Sequence, residues 1–182
     1  ASSARDFRHQ QFAPPTPAPS DMIQVYVAGD ADTRKKDAPP PPAGYGAVAT
    51  QGGGVGEIFR IGGQIVARRT PNVKTTTGNL ANLVAFARAL QWAHSNYRTR
   101  GRPICIRYDS EYAARIATGA WRAKKHKAFA EEARRAWAQL KRDRGGRVWM
   151  QHVSSSHPDC VVADRLARAG KNGHSEYSET VG

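Results

Sequence analysis

Acidic side chains are scarce in this 182-residue chain: 15 Asp and Glu stand against 28 Lys and Arg, a formal net charge of +13. Such a deficit disfavours cationic partners and points to a polyanion, most simply nucleic acid. No basic amphipathic helix with a large aromatic face is visible, so an anionic membrane surface is not the expected partner. No apolar run approaches the length of a membrane span. Only two cysteines are present, Cys105 and Cys160, which argues against a disulfide-stapled secreted domain. Cys105 falls in a predicted strand as a small core residue, and Cys160 near the start of the last predicted helix. Neither has a Cys or His partner at zinc-site spacing. An initiator Met is also lacking. The opening Ala1-Ser2-Ser3-Ala4-Arg5 is either an edge within a longer sequence or the mature end left after removal of an Arg- and Ser-rich leader; a mitochondrial or other organellar matrix is the expected compartment, and otherwise an intracellular one.

What is present is enough for one domain with a sizeable core, since 40% of the residues are hydrophobic. Residues 1–21 carry Pro14, Pro15, Pro17 and Pro19 among small and polar residues and are expected to be an extended tail. Residues 170–182 lack an apolar period and read as a second tail, leaving a domain over 22–169. Within it, strands are predicted at 23–27, 46–50 and 58–69, with Gly62-Gly63 as a bulge or bend and Gly52-Gly53-Gly54 as a turn. Between the first two, Pro39 to Pro42 stiffen a loop that also holds Arg34-Lys35-Lys36. Leu80, Leu83, Val84, Ala87 and Leu90 recur at helical spacing, which predicts a helix over 79–96. A strand at 104–108, helices at 111–118 and 127–144, a strand at 148–153 and a helix at 161–169 follow. The fold class is therefore α/β, with helices on both faces of a mixed sheet of five strands, three antiparallel and then two parallel.

Five segments occur in a telling order: Val25-Tyr26-Val27-Ala28-Gly29-Asp30, Gly44-Tyr45-Gly46-Ala47, Thr77-Gly78-Asn79-Leu80-Ala81-Asn82-Leu83, Tyr108-Asp109-Ser110-Glu111-Tyr112, and Asp164-Arg165-Leu166-Ala167. Together they resemble the ribonuclease H family, over roughly 145 residues. The resemblance implies four acidic positions that hold two divalent metals, on the first strand, first helix, end of the fourth strand and last helix. Asp109 and Asp164 match the last two. Against the family pattern Thr-Asn-Asn-x-x-Glu-Leu, Thr77, Asn79 and Leu83 align without a gap and place Asn82 at the glutamate. The strand position reads Ala28. Asp30 would face the same side as Ala28, about 6 to 7 Å further along at a rise of 3.3 Å per residue. A bulge or a two-residue register change could return it to the site. The mobile His that family members carry before the last helix is replaced by serines, and His157 matches only the second His of the usual pair.

Two Mg²⁺ ions side by side need several hard, charged oxygens, because the dications repel each other. Too few remain, so the catalytic and metal positions are read as vestigial, with no resident cofactor. If any ion binds, its ligands would be Asp30, Asp109 and Asp164. The nucleic-acid-binding candidates are Arg34, Lys35, Lys36, Asn79, Trp121, Arg122, Lys124, Lys125 and Lys127. The run Trp121 to Lys127 corresponds to the basic, Trp-containing protrusion with which many ribonucleases H grip a duplex. Arg68, Arg69, Arg98, Arg100, Arg102, Arg134, Arg135, Lys141, Arg142 and Arg144 spread charge further. The expected function is a structural RNA-binding subunit of a large ribonucleoprotein, an organellar ribosome being the leading setting. Ribosomal RNA and neighbouring subunits would be its partners, with neither a membrane nor a small-molecule substrate. Two alternatives stay open. One is an active, divergent, Mg²⁺-dependent ribonuclease H cleaving RNA in RNA–DNA hybrids; the other is a protein-interaction module whose charge is incidental.

Overall fold

Ile23, Val25 and Val27 are buried in the main core, while Tyr26 and Ala28 join a second cluster. This two-residue alternation is what a strand with both faces covered must show. The computed structural model describes residues 12–52, 56–67, 69, 73, 75–96 and 99–179. In chain order the elements are β1 (Ile23–Ala31), β2 (Ala43–Gln51), β3 (Gly56–Ile65), α1 (Gly78–Ser95), β4 (Ile104–Tyr108), α2 (Glu111–Ala117), α3 (Lys127–Asp143), β5 (Val148–His152), α4 (Pro158–Lys171) and β6 (Glu176–Glu179). The sheet order is β5-β4-β1-β2-β3-β6. β1 pairs antiparallel with β2 and parallel with β4, and β4 pairs parallel with β5. Helices α1, α2 and α3 pack together, with α1 on β1 and β2, and α4 lies on β1, β2 and β3. The residues 1–11, Gly53, Gly54, Arg68 and Arg98 named above lie outside the described residues.

The sheet has six strands rather than five. β6 pairs antiparallel with β3, Ile61 opposite Tyr177, so residues 170–179 are not a tail: α4 runs on to Lys171 and a strand follows. Its sequence, Glu-Tyr-Ser-Glu, has no apolar pattern, and all four residues are exposed. Contacts with distant residues hold it instead. Tyr177 meets Phe59 edge-on at 5.7 Å, and the Glu179 carboxylate accepts from Trp92 Nε1 at 2.9 Å and Asn96 Nδ2 at 2.8 Å. At the other end, Phe12 sits edge-on to Trp137 of α3, 6.5 Å between ring centres, so part of the Pro-rich segment is docked.

Gly62 and Gly63 are no bulge; they stay in register opposite Gly46 and Tyr45, and the register shift falls at Ala49/Thr50. Their smallness serves helix packing. A Cβ on Gly44 would run into the Ala167 carbonyl, one on Gly46 into the Ala163 carbonyl, and one on Gly170 into the Gly63 carbonyl. A Cβ on Gly62 would lie 3.0 Å from the Leu166 carbonyl oxygen. The missing side chains let α4 lie directly on the β2–β3 backbone, which fixes where its central residues stand.

Arg144 is also reassigned. It is buried, and its Nη2 donates to the Ala93 carbonyl at 2.9 Å and Thr99 Oγ1 at 3.0 Å, tying the ends of α1 and α3 together. Arg144 thus adds nothing to the basic surface. Arg144→Ala is expected to lower unfolding free energy by about 2 kcal/mol, from charged hydrogen bonds and stem packing lost together. Chemical denaturation followed by circular dichroism measures this.

Candidate functional site

α4 presents Val161, Asp164, Arg165 and Arg168 along one face, at the three- and four-residue spacing that aligns side chains on a helix. Together with Val27 and Ala28 of β1, Asp109 after β4, Ser155 and Cys160, they line a pocket of about 450 Å³. Thus Ala28, Asp109 and Asp164 do meet at one place. Asn82 stands close by on the far side of β1: a Cβ on Gly29 would fall 2.5 Å from the Ala81 carbonyl carbon, so the α1 backbone presses on β1 here. The Asn82 amide turns back on its own helix, Nδ2 donating to the Gly78 carbonyl at 2.9 Å.

Asp30 does not return to this pocket. β1 keeps regular pairing through Asp30↔Gly44, so no bulge redirects the side chain. Its carboxylate pairs with Lys171 Nζ at 2.8 Å, and Asp32 contacts the same ammonium at 2.9 Å. Hydrogen bonds to both carboxylates, Asp30 first, hold Lys171 above the ordinary lysine value. Asp164 in turn pairs with Arg168, Nη2 to Oδ2 2.8 Å. Among the described residues no three His, Cys, Asp or Glu side chains cluster so as to hold a metal ion. Two carboxylates, one already facing a guanidinium, do not fit a pair of magnesium ions.

Side-chain contacts tie together the floor beside the pocket. His157 caps α4, its Nδ1 accepting from the Asp159 amide at 3.2 Å, and its ring stacks on Tyr26 at 4.9 Å. Arg107 Nη1 donates to the Tyr26 hydroxyl at 3.1 Å, and that hydroxyl donates to Gln24 at 2.7 Å. A histidine held on both sides is an anchor and not a moving group. Burial, with the Asp109 charge adding to it, pushes the Cys160 thiol up to about 11, so it stays a neutral wall residue at physiological pH.

Asn79 and the predicted residues of the Trp121–Lys127 run divide between two hollows. Asn79, Trp121, Arg122, Lys124 and Lys125 line a groove of about 580 Å³ with Thr77, Tyr112, Ala120 and His126. Lys127 lines an adjoining hollow of about 380 Å³ with Arg134, and Trp121 and Arg122 border both. Thr77 caps α1, its hydroxyl oxygen accepting from Leu80 N at 3.1 Å, and lies 3.1 Å from His126 Nε2. That bond joins the α1 N-terminus to the basic loop. Burial, with Lys125 beside it, lowers the His126 pKa below its ordinary value, so the ring adds no charge at neutral pH. Trp121 rests on the Arg115 guanidinium at 4.4 Å, which holds the indole at the groove's edge. Arg34, Lys35 and Lys36 are exposed on the β1–β2 loop and line none of these hollows. The sequence reading missed Tyr112 and His126 in the groove and Arg165, Arg168 and Ser155 in the pocket. The four-residue step from Asp164 to Arg168 was the available signal for the ion pair.

Neither a protein-family model nor a curated protein matches the sequence. Solved structures do. The N-terminal ribonuclease H domain of Rv2228c from Mycobacterium tuberculosis, solved as a maltose-binding-protein fusion, superposes with a TM-score of 0.63 at 19% identity, covering 84% of this chain and 95% of that one. LC11-RNase H1, isolated from compost by a metagenomic approach, gives 0.61 at 23% identity over 84% and 96%. The same enzyme in complex with an RNA/DNA hybrid gives 0.60 at 23% identity over 82% and 96%. Element order, sheet topology and these likenesses agree: the chain has a ribonuclease H-like fold.

Proposed function

We propose that this protein binds RNA through a ribonuclease H-like domain that no longer performs two-metal hydrolysis. The observation carrying this reading is the pocket itself, where Ala28 occupies the strand position and Arg168 pairs with Asp164 at 2.8 Å. The basic, aromatic-edged groove and the +13 net charge support nucleic-acid binding, as does a structural neighbour solved with an RNA/DNA hybrid. The setting we propose is a large ribonucleoprotein, an organellar ribosome in the leading case, with ribosomal RNA and adjoining subunits as partners.

Purified protein incubated with a labelled RNA–DNA hybrid and Mg²⁺ or Mn²⁺ is expected to show no turnover. It should bind RNA with an affinity that falls steeply with salt. Each phosphate contact on a single strand contributes about 0.7 to the slope of log K against log salt, so Lys124→Gln with Lys125→Gln should flatten it by about 1.4. A slope near zero would favour a protein-interaction module. The active reading keeps one observation in its favour, Asp109 and Asp164 sharing a pocket. Hybrid cleavage abolished by Asp109→Asn would establish it and sink ours.

A further inference from the structure

Two arginines stand where the fold would place metal-facing chemistry, and neither is explained by packing. Arg165 and Arg168 are both exposed, yet both line the pocket with Asp109, Asp164 and Ser155. Arg168 Nη2 lies 2.8 Å from Asp164 Oδ2, and two-thirds of its side chain remains in solvent. A guanidinium has five N–H donors in a planar fork, more than one carboxylate can take up, so Arg168 keeps donors for a second anion at the pocket it lines. The i,i+3 spacing of Arg165 and Arg168 brings the two forks to one side of α4. Ser155, exposed and lining the same pocket, offers a hydroxyl.

We infer that the pocket between β1, β4 and α4 seats a backbone phosphate of RNA without metal, held by Arg165 and Arg168. Asp164 keeps Arg168 extended along the helix and is displaced from part of its fork when the phosphate arrives. A phosphodiester suits the forks because guanidinium pairs with it bidentately. Asp109 and Asp164 oppose the anion, so the seat is modest, a second anchor point in addition to the Trp121–Lys125 groove. This rests on the RNA-binding reading above and adds where, and by which groups, the strand is held.

The test is equilibrium binding of a labelled single-stranded RNA to the full chain, with EDTA and then with Mg²⁺. Arg165→Gln with Arg168→Gln should weaken binding about tenfold at low salt and flatten the salt slope by about 1.4, equally in EDTA and in Mg²⁺. Asp164→Asn should strengthen binding in EDTA, because it removes a competing anion and releases Arg168. A metal-bridged site predicts the opposite sign: Asp164→Asn would weaken binding, and only in Mg²⁺. That result overturns the seat. So does unchanged affinity of the arginine double variant when Lys124→Gln with Lys125→Gln loses affinity, which would leave RNA binding standing and remove this anchor alone. Failure of the parent chain to bind RNA at all would overturn both.

Discussion

Introducing carboxylates at positions 28 and 82 and removing the guanidinium that faces Asp164 is expected to create a manganese site. In the triple variant Ala28→Asp, Asn82→Glu, Arg168→Ala, four carboxylates replace two, and the competing cation is gone. Ala28 already lines the pocket, so an Asp there reaches open space. Asn82 is held by its own amide hydrogen on the Gly78 carbonyl, a bond no carboxylate can make, so a Glu is freed from the helix backbone. Mn²⁺ affinity, read by titration calorimetry or by loss of the free-ion paramagnetic signal, should rise at least about tenfold over the parent chain, or 1.4 kcal/mol. No gain would mean that α1 presents residue 82 away from the pocket, and the account of the lost site would fail.

Gly46→Ala is expected to cost about 3 kcal/mol or more of stability. The added Cβ would press into the Ala163 carbonyl and approach Ala167 N and Leu166 Cβ at 2.8 Å each. These are mostly main-chain atoms of a helix, which cannot swing aside as a side chain would. α4 would have to lift from the sheet, carrying Asp164, Arg165 and Arg168 with it. Gly78→Ala is the control: nothing lies within 4 Å of its Cβ, and it stands at the first residue of α1. Its effect should be neutral, or stabilising by about 0.4 to 1 kcal/mol, through reduced freedom of the unfolded chain. Thermal and denaturant unfolding of the two variants side by side reads both. Equal stability of Gly46→Ala and the parent would show that α4 does not rest on the β2 backbone.

Elements with strong local signals stand where the sequence reading puts them. β4 spans Ile104–Tyr108 as expected, and α1 begins one residue after Thr77, whose hydroxyl caps it. A short apolar run, a helical stripe and a cap need only near neighbours to be recognised. The place of Asn82 in the resembled pattern is legible for the same reason, since Thr77 and Leu83 flank it within about two helix turns. The grouping of Asn79 with Trp121 to Lys125 was half visible: the residues were identified, but the hydrogen bond between Thr77 and His126 that joins them spans 49 positions.

Charge balance, core periodicity and the presence of Ala28 and Asn82 in segments that resemble the ribonuclease H pattern are properties of the chain, readable one segment at a time. The destination of each charge is not. Asp30 meets Lys171, Arg144 meets Ala93 and Thr99, and Glu179 meets Trp92 and Asn96, all across long stretches of sequence. Those pairings follow from α4 lying flush on glycines and from β6 adding to β3. Ion pairs and edge strands form wherever packing brings partners within reach, and only the folded arrangement sets that distance.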